Sequence, residues 1–514
     1  MNGAESLVRT LVAGGVEVCF ANPGTSEMHF VAALDRVEGM RCVLGLFEGV
    51  VTGAADGYAR MADKPAATLL HLGPGLANGL ANLHNANRAS TPIVNIVGDH
   101  ATYHRRYDAP LTSDIESIAR SACSWVRTSP DASSVAGDGA AAIAAALTPP
   151  GNVTALILPA NTAWDEGGGI APVTAVQRPA QVSKEAIANA VRVLGSGEPT
   201  LLLLGGRTLR QSGLYLAGQI ASKTGTQLRT QVFNARMERG AGRVAVDRLP
   251  YPIDQALAAL ADIKHVILVG AKPPVAFFAY PNKPSLLTPE GCQTHILARP
   301  EEDAVHALEW LADELGARSE RAQLAEYAPP SPASGAITPA AISASLGALL
   351  PEQAIVIDES ITTGRGFVPP TRSSRPHDWL HNTGGSIGIA MPLATGAAVA
   401  CPERKVIALE ADGCGMYTLQ ALWTQAREGL DVTTVIFANH SYACLRHELA
   451  NVGAKNAGPR ARDMLDLDRP NLDWVELARG MGVSAVRVQT MEDFNDRFSA
   501  SIIEPGPHLI EVTL

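Results

Sequence analysis

The chain has 514 residues, of which 46% are hydrophobic and 18% charged, the composition of a well-packed globular protein too long for one core. About three domains are expected, and the net charge of −10, an isoelectric point near 5.7 and the lack of a basic stripe exclude a nucleic-acid binder. Seven scattered cysteines, an odd number with no CxxC pair, predict the reduced thiols of a cytoplasmic protein.

Residues 1–13 follow an amphipathic helix pattern carrying Glu5 and Arg9, and a strand is expected over 16–21. That layout is not a signal peptide, and no apolar run reaches membrane-spanning length, so a soluble, cytoplasmic protein without membrane contact is expected. Residues 41–47 form a short apolar run ending at Glu48. The following GVVTGAADGYARM has the small residues and periodicity of a closely packed helix. Glu48 therefore stands where a strand becomes a helix, a position where the helix dipole alone would favour an acid. Gly137-Asp138-Gly139 reads as a surface turn.

Two stretches read as linkers: 164–182, with Gly167-Gly168-Gly169 and two prolines, and 328–338, with PPSPASGAIT. They leave three segments, 1–165, 183–327 and 339–514. Each alternates buried strands with alanine-rich helices, so the expected fold class is α/β, with three doubly wound parallel-sheet domains.

In the last segment, 406–409 reads as a buried strand, 411–415 as a glycine turn, 416–428 as a helix and 433–438 as a second buried strand. Asp412 and Asn439, 27 positions apart, then fall at the carboxyl ends of neighbouring parallel strands, where open α/β sheets bind ligands. One carboxylate and one amide oxygen converging there suit Mg²⁺, which takes few protein ligands and completes its shell from phosphate and water.

This segment resembles the diphosphate motif of thiamine-diphosphate (ThDP) enzymes, with Ala411 and Ala438 replacing a Gly and an Asn of that motif. LGLFEGVVTGAADGYAR resembles the same family's activating motif. The resemblance spans the whole length and is to the acetolactate synthase and benzoylformate decarboxylase branch. It implies an N-terminal pyrimidine domain (1–165), a middle domain (183–327) and a C-terminal diphosphate domain (339–514), with ThDP and Mg²⁺ bound in a homodimer or homotetramer at the subunit interface.

The resemblance makes Glu48 the carboxylate that hydrogen-bonds the aminopyrimidine ring. Asp412, Asn439 and the carbonyl of Ser441 become the metal ligands. Backbone at Gly413, Cys414, Tyr442 and Ala443, the Ile361 N–H and the Thr362 hydroxyl cradle the diphosphate. In TGGSIGIAMPLATG, Gly385 accepts the aminopyrimidine amine and Ile387 wedges under the bent cofactor. Cys414, a weak hydrogen-bond partner, is assigned no nucleophilic work. The Gly205-Gly206 pair after strand 200–204 is too slight a signal for a dinucleotide, so FAD is not expected.

The resemblance implies a 2-oxo acid substrate; ANPGTSEMHF resembles the benzoylformate decarboxylase turn that carries its active-site Ser, at the place of Thr25, and LLHLGPGLANG puts His71 at that enzyme's active-site His, a candidate proton shuttle. Asn78 joins this pocket. The middle-domain histidine of benzoylformate decarboxylase has no counterpart in GAKPPVAFFAYP, which offers Phe277 and Phe278 instead. An apolar pocket with few proton donors favours ligation over protonation. The expectation is therefore an acetolactate-synthase-like decarboxylating carboligase. The alternatives are a simple decarboxylase and, given Ala411 and Ala438, a non-catalytic regulator of ThDP fold.

Overall fold

A computed structural model describes all residues, Met1–Leu514. The strands are β1 (Val18–Asn22), β2 (Arg41–Leu44), β3 (Ala66–Leu70), β4 (Ile93–Asp99), β5 (Trp125–Thr128) and β6 (Val153–Pro159) in the first sheet. The central part of the chain supplies β7 (Thr200–Leu204), β8 (Gln227–Thr230), β9 (Met237–Arg239), β10 (Asp247–Arg248), β11 (His265–Val269) and β12 (Gln293–Ala298). The last part supplies β13 (Ile355–Glu359), β14 (His377–His381), β15 (Val406–Ala411), β16 (Val432–Ala438), β17 (Ser484–Val488) and β18 (His508–Thr513). Strands such as β7 (TLLLL) and β16 (VTTVIFA) are buried along their whole length, as a parallel sheet covered by helices on both faces requires.

Three sheets result, ordered β2-β1-β3-β4-β6-β5, β10-β8-β7-β11-β12 and β17-β18-β16-β15-β13-β14-β9. All pairings are parallel except that of β9, which leaves the central segment and pairs antiparallel with β14. The fold class is thus three doubly wound parallel α/β sheets, with β9 stitching the central segment to the third.

Two switch points in strand order matter for function. In the first sheet, β1 has β2 on one side and β3 on the other; in the third, β13 lies between β14 and β15. Connections leave such neighbours in opposite directions and open a crevice at the carboxyl ends of β1/β3 and of β13/β15.

The first and third sheets share one core within a single chain. A cluster of 37 buried residues joins Val51, Ala54 and Tyr58 of helix Glu48–Ala62 to Leu393, Ala394 and Ala397 of helix Ala390–Ala400. Glycine permits the contact: a Cβ on Gly57 would stand 2.0 Å from the Leu393 carbonyl oxygen, and one on Gly396 1.8 Å from that of Ala54. Beside this crossing, Arg60 is clamped by Asp56 (Nε to Oδ1 2.7 Å) and donates to the carbonyls of His381 (2.9 Å) and Ala235 (3.2 Å). No helix is long and apolar enough to cross a membrane.

Gly137-Asp138-Gly139 is not a surface turn. It lies in helix Val135–Leu147, and Asp138 is buried, accepting from the Ser129 hydroxyl at 2.9 Å and Arg127 at 2.8 Å. The alanine-rich helix has too little polar alternation to reveal itself, so the flanking glycines misled the reading. The helix expected over 416–428 forms only at Ala421–Glu428, and the expected glycine turn over 411–415 holds a helical turn at Asp412–Gly415. Between them Thr418 donates its hydroxyl to the Gly388 carbonyl (2.8 Å), a tertiary anchor that interrupts the helix.

Candidate active site at two sheet switch points

At the first switch point, β1 runs into the NPGT turn and β3 into His71. Gly24 is followed by the short 3-10 turn Thr25–Glu27. His71 packs so tightly on Gly24 that a Cβ there would fall 2.2 Å from its Nδ1. Sequence reasoning overlooked Glu27. Its Oε2 accepts from the Gly24 N–H (2.7 Å) and from His71 Nδ1 (2.8 Å), which leaves His71 Nε2 without a bond in the chain. Burial pushes the Glu27 carboxyl above the usual carboxylate range, against the pull of His71 and the Gly24 N–H. Thr25 is exposed on the same turn. The acid two residues past the NPGT turn was a usable signal, but nothing local tied it to a histidine 44 positions on.

Leu72, next to His71, has φ +49°, a strained value for a leucine. It turns the chain directly into helix Leu72–Ala89. From that helix Asn78 donates to Glu48 Oε2 at 3.0 Å, so Asn78 serves Glu48 as well as any pocket. Glu48, only 7% exposed, opens its helix one residue after the extended Phe47. Gly75 lets the chain pass: a Cβ there would lie 2.9 Å from Glu48 Oε1. Thr25, Glu27, His71, Asn78 and Glu48 therefore cluster at one end of the first sheet.

At the second switch point, β13 ends at Glu359 and Ile361 follows with φ +49°. A β-branched residue there is an outlier of the kind that collects at functional sites. Thr362 opens the 3-10 turn Thr363–Gly366. Next to β13, β15 ends at Ala411, so Asp412 begins the adjacent turn, and β16 delivers Asn439 beside it. Asp412 accepts from the N–H groups of Gly413 (2.9 Å) and His440 (2.7 Å), and Asn439 Oδ1 accepts from Ser441 N–H (3.0 Å). His440 is a third left-handed residue, φ +52°. Asp412 is 2% exposed, and burial pushes its carboxyl upward, the situation a cation would relieve.

No three His, Cys, Asp or Glu side chains are grouped to hold a metal ion. The donors near Asp412 are one carboxylate, one amide oxygen and backbone carbonyls, which fit a hard divalent ion. Tyr442 lies against Gly413, where a Cβ would meet its ring at 2.6 Å. Cys414 is buried and its thiol is held well above its ordinary value by that burial; it is no nucleophile.

The glycine loop between β14 and helix Ala390–Ala400 presents Gly385, exposed and left-handed (φ +79°), with Ile387 half-buried behind it. Phe277 reaches this loop from the central segment, its Cζ 2.5 Å from where a Gly385 Cβ would stand. It belongs to an aromatic cluster with Phe278 (4.8 Å), Tyr251 (5.5 Å) and Phe233 (5.9 Å). Phe277 and Phe278 remain 44% and 51% exposed. His381, whose ring lies 6.3 Å from Phe233, is buried and held neutral by that burial.

Beneath the loop lies a second feature that sequence reasoning missed. Glu359 and Glu410 are register partners on β13 and β15, both buried. Burial raises Glu359 to about 7, and burial together with the Glu359 carboxylate raises Glu410 further.

Comparison with known proteins identifies the family of the chain. Residues 1–118 match the thiamine pyrophosphate enzyme N-terminal TPP binding domain, and residues 367–512 the corresponding C-terminal TPP binding domain. The chain is also 52% identical, over 100% of its length and 99% of the relative's, to IlvX of Mycobacterium tuberculosis, provisionally named an acetolactate synthase large subunit. The chain belongs to the thiamine pyrophosphate enzyme family.

A benzoylformate decarboxylase of Pseudomonas aeruginosa is 28% identical over 97% of this chain and 96% of its own. The ThDP-dependent 4-hydroxybenzoylformate decarboxylase of Rhodococcus jostii RHA1 superposes with a TM-score of 0.87, at 25% identity, over 100% of this chain and 99% of its own. The matched regions contain Glu48, His71 and Asn78 at the first switch point and Asp412 and Asn439 at the second, while β13 and Ile361 precede the C-terminal match.

Proposed function

We propose that this ThDP enzyme decarboxylates a 2-oxo acid with Mg²⁺ and joins the remaining fragment to a second carbonyl compound, as an acetolactate-synthase-like carboligase. The observation that carries this reading is the presence in one chain of a buried Glu48, braced by Asn78, and of the Asp412–Asn439 oxygen set. Glu48 would hydrogen-bond the aminopyrimidine ring. Asp412, Asn439 and the Ser441 carbonyl hold Mg²⁺. Ile361 and Thr362, with backbone at Gly413, Cys414, Tyr442 and Ala443, hold the diphosphate. The Gly385 carbonyl would accept the aminopyrimidine amine, and Ile387 would pack beneath the cofactor. Bound ThDP supplies the electron sink for the electrons released with CO₂.

Ligation is favoured over protonation because the aromatic wall of Phe277 and Phe278 meets Gly385, and His381 beside it is buried and neutral. Neither phenyl ring supplies a proton on that side. Thr25 and His71 bind the carboxylate and move a proton on the other. Large apolar side chains left exposed near the site, including Leu46, Phe278 and Leu445, suit a homodimer or homotetramer in which Glu48 of one subunit serves the Asp412 site of another.

A second reading, simple decarboxylation, is favoured by one feature: the Glu27–His71 pair is built to relay a proton. Incubation with ThDP, Mg²⁺ and pyruvate or benzoylformate, following CO₂ and resolving products by NMR, separates the readings. Acetolactate or another hydroxyketone is expected. Free aldehyde released faster than ligated product establishes the decarboxylase, and neither CO₂ nor cofactor C2 proton exchange establishes a regulator.

A further inference from the structure

Glu359 is a fully buried acid with no role in the chemistry above. Its Oε2 accepts three consecutive backbone N–H groups, from Gly388 (3.2 Å), Ile389 (2.7 Å) and Ala390 (3.0 Å). These are the free donors at the start of helix Ala390–Ala400, where a negative charge is favoured. Its Oε1 accepts from Asn382 Nδ2 at 2.9 Å. Asn382 in turn accepts the Gly385 N–H (2.8 Å) and donates to the Ser386 carbonyl (2.7 Å). One carboxylate thus secures both ends of a loop that has no strand or helix of its own and contains two left-handed glycines, Gly385 (φ +79°) and Gly388 (φ +91°).

The opposite flank of the loop is held by the first sheet's helix Leu72–Ala89, where Asn85 accepts the Ser386 N–H (3.1 Å) and donates to the Ser386 carbonyl (2.8 Å). Asn85 fixes the middle of the loop; Glu359 and Asn382 fix its ends. A conformation of this kind persists only when its surroundings over-determine it.

We propose that Glu359 is a positioning residue for the cofactor: acting through Asn382 and the 388–390 backbone, it presets the carbonyl of Gly385 and the side chain of Ile387 before ThDP binds. This inference rests on the proposed cofactor roles of Gly385 and Ile387. Glu359 does not touch the cofactor. Its effect is to remove the loop-ordering cost from binding.

The test uses the full chain. Glu359→Gln keeps the volume but turns an amide N–H₂ toward donors that need an acceptor. Asn382→Ala is the milder second variant, cutting only the tie to Gly385 and Ser386, and it carries the test if Glu359→Gln does not fold. Three readouts are compared with wild type: amide hydrogen exchange over 382–390 without cofactor, ThDP affinity with Mg²⁺, and C2 proton exchange of bound ThDP.

Loop exchange is expected to rise roughly 10-fold or more, with β1 and β3 unaffected, and ThDP affinity to fall by roughly 10-fold. Unchanged loop exchange in both variants overturns the fastening. A loosened loop with unchanged ThDP affinity and unchanged C2 exchange overturns the positioning role. A wild type that does not bind ThDP overturns the functional reading, and the positioning role with it. A wild type that binds while both variants match it overturns this inference alone.

Discussion

Gly396→Ala probes the contact that ties the Glu48 helix to the glycine-loop helix. The new Cβ would stand 1.8 Å from the Ala54 carbonyl oxygen and 2.6 Å from the Tyr58 nitrogen. Carbon ordinarily approaches a carbonyl oxygen to about 3.3 Å, so the shortfall is about 1.5 Å. Both obstacles are backbone, which no rotamer relieves, and the helices must separate along a seam inside the shared core. Overpacking costs about 1–3 kcal/mol, and a backbone obstacle belongs at the upper end, about 3 kcal/mol. Gly137→Ala is the matched control. It lies in helix Val135–Leu147 with nothing within 4 Å of its Cβ position, and the same substitution there should stabilise by about 0.5–1 kcal/mol. Differential scanning calorimetry of the cofactor-free protein should show opposite shifts for the two variants. A Gly396→Ala protein melting with wild type would refute the packing argument.

Arg60→Met strands the buried Asp56 carboxylate and should cost about 3–5 kcal/mol, read as an earlier urea unfolding transition; an unchanged transition contradicts it. For pH, burial raises Glu359 from 4.5 to about 7, so the native state binds the proton more tightly than the unfolded chain. The stability this contributes, roughly 3 kcal/mol, is fully present below about pH 4.5 and lost as the pH rises through about 7. The melting temperature of cofactor-free protein should accordingly fall across that window, and the fall should shrink in Glu359→Gln; equal slopes contradict this. Glu27→Gln replaces the carboxylate on His71 Nδ1 with a neutral amide, so turnover should drop by roughly 10-fold or more while C2 exchange stays at the wild-type rate. Equal loss of both would place Glu27 elsewhere in the mechanism.

Much of this was readable from residues because parallel sheets declare themselves as largely apolar runs, as in TLLLL of β7 and VIALEA of β15. Asp412 and Asn439 were legible for the same reason: each directly follows such a run, at or one residue past the strand end. What escaped notice depends on contacts across the fold. The antiparallel β9 is three residues long, MER, too short for a period. Glu359 and Glu410 each sit at or near the end of a buried strand, but their pairing exists only through the register of β13 with β15. Asp138 was misread because its partners Ser129 and Arg127 lie outside its helix.

The most direct test of the central claim is C2 proton exchange of ThDP bound to wild-type protein and to Glu48→Gln, each with Mg²⁺ and with a chelator. The account predicts fast exchange for wild type with Mg²⁺. It predicts loss of cofactor binding with the chelator, and retained binding with exchange slowed by roughly 100-fold or more in Glu48→Gln. Exchange in Glu48→Gln at the wild-type rate would contradict it.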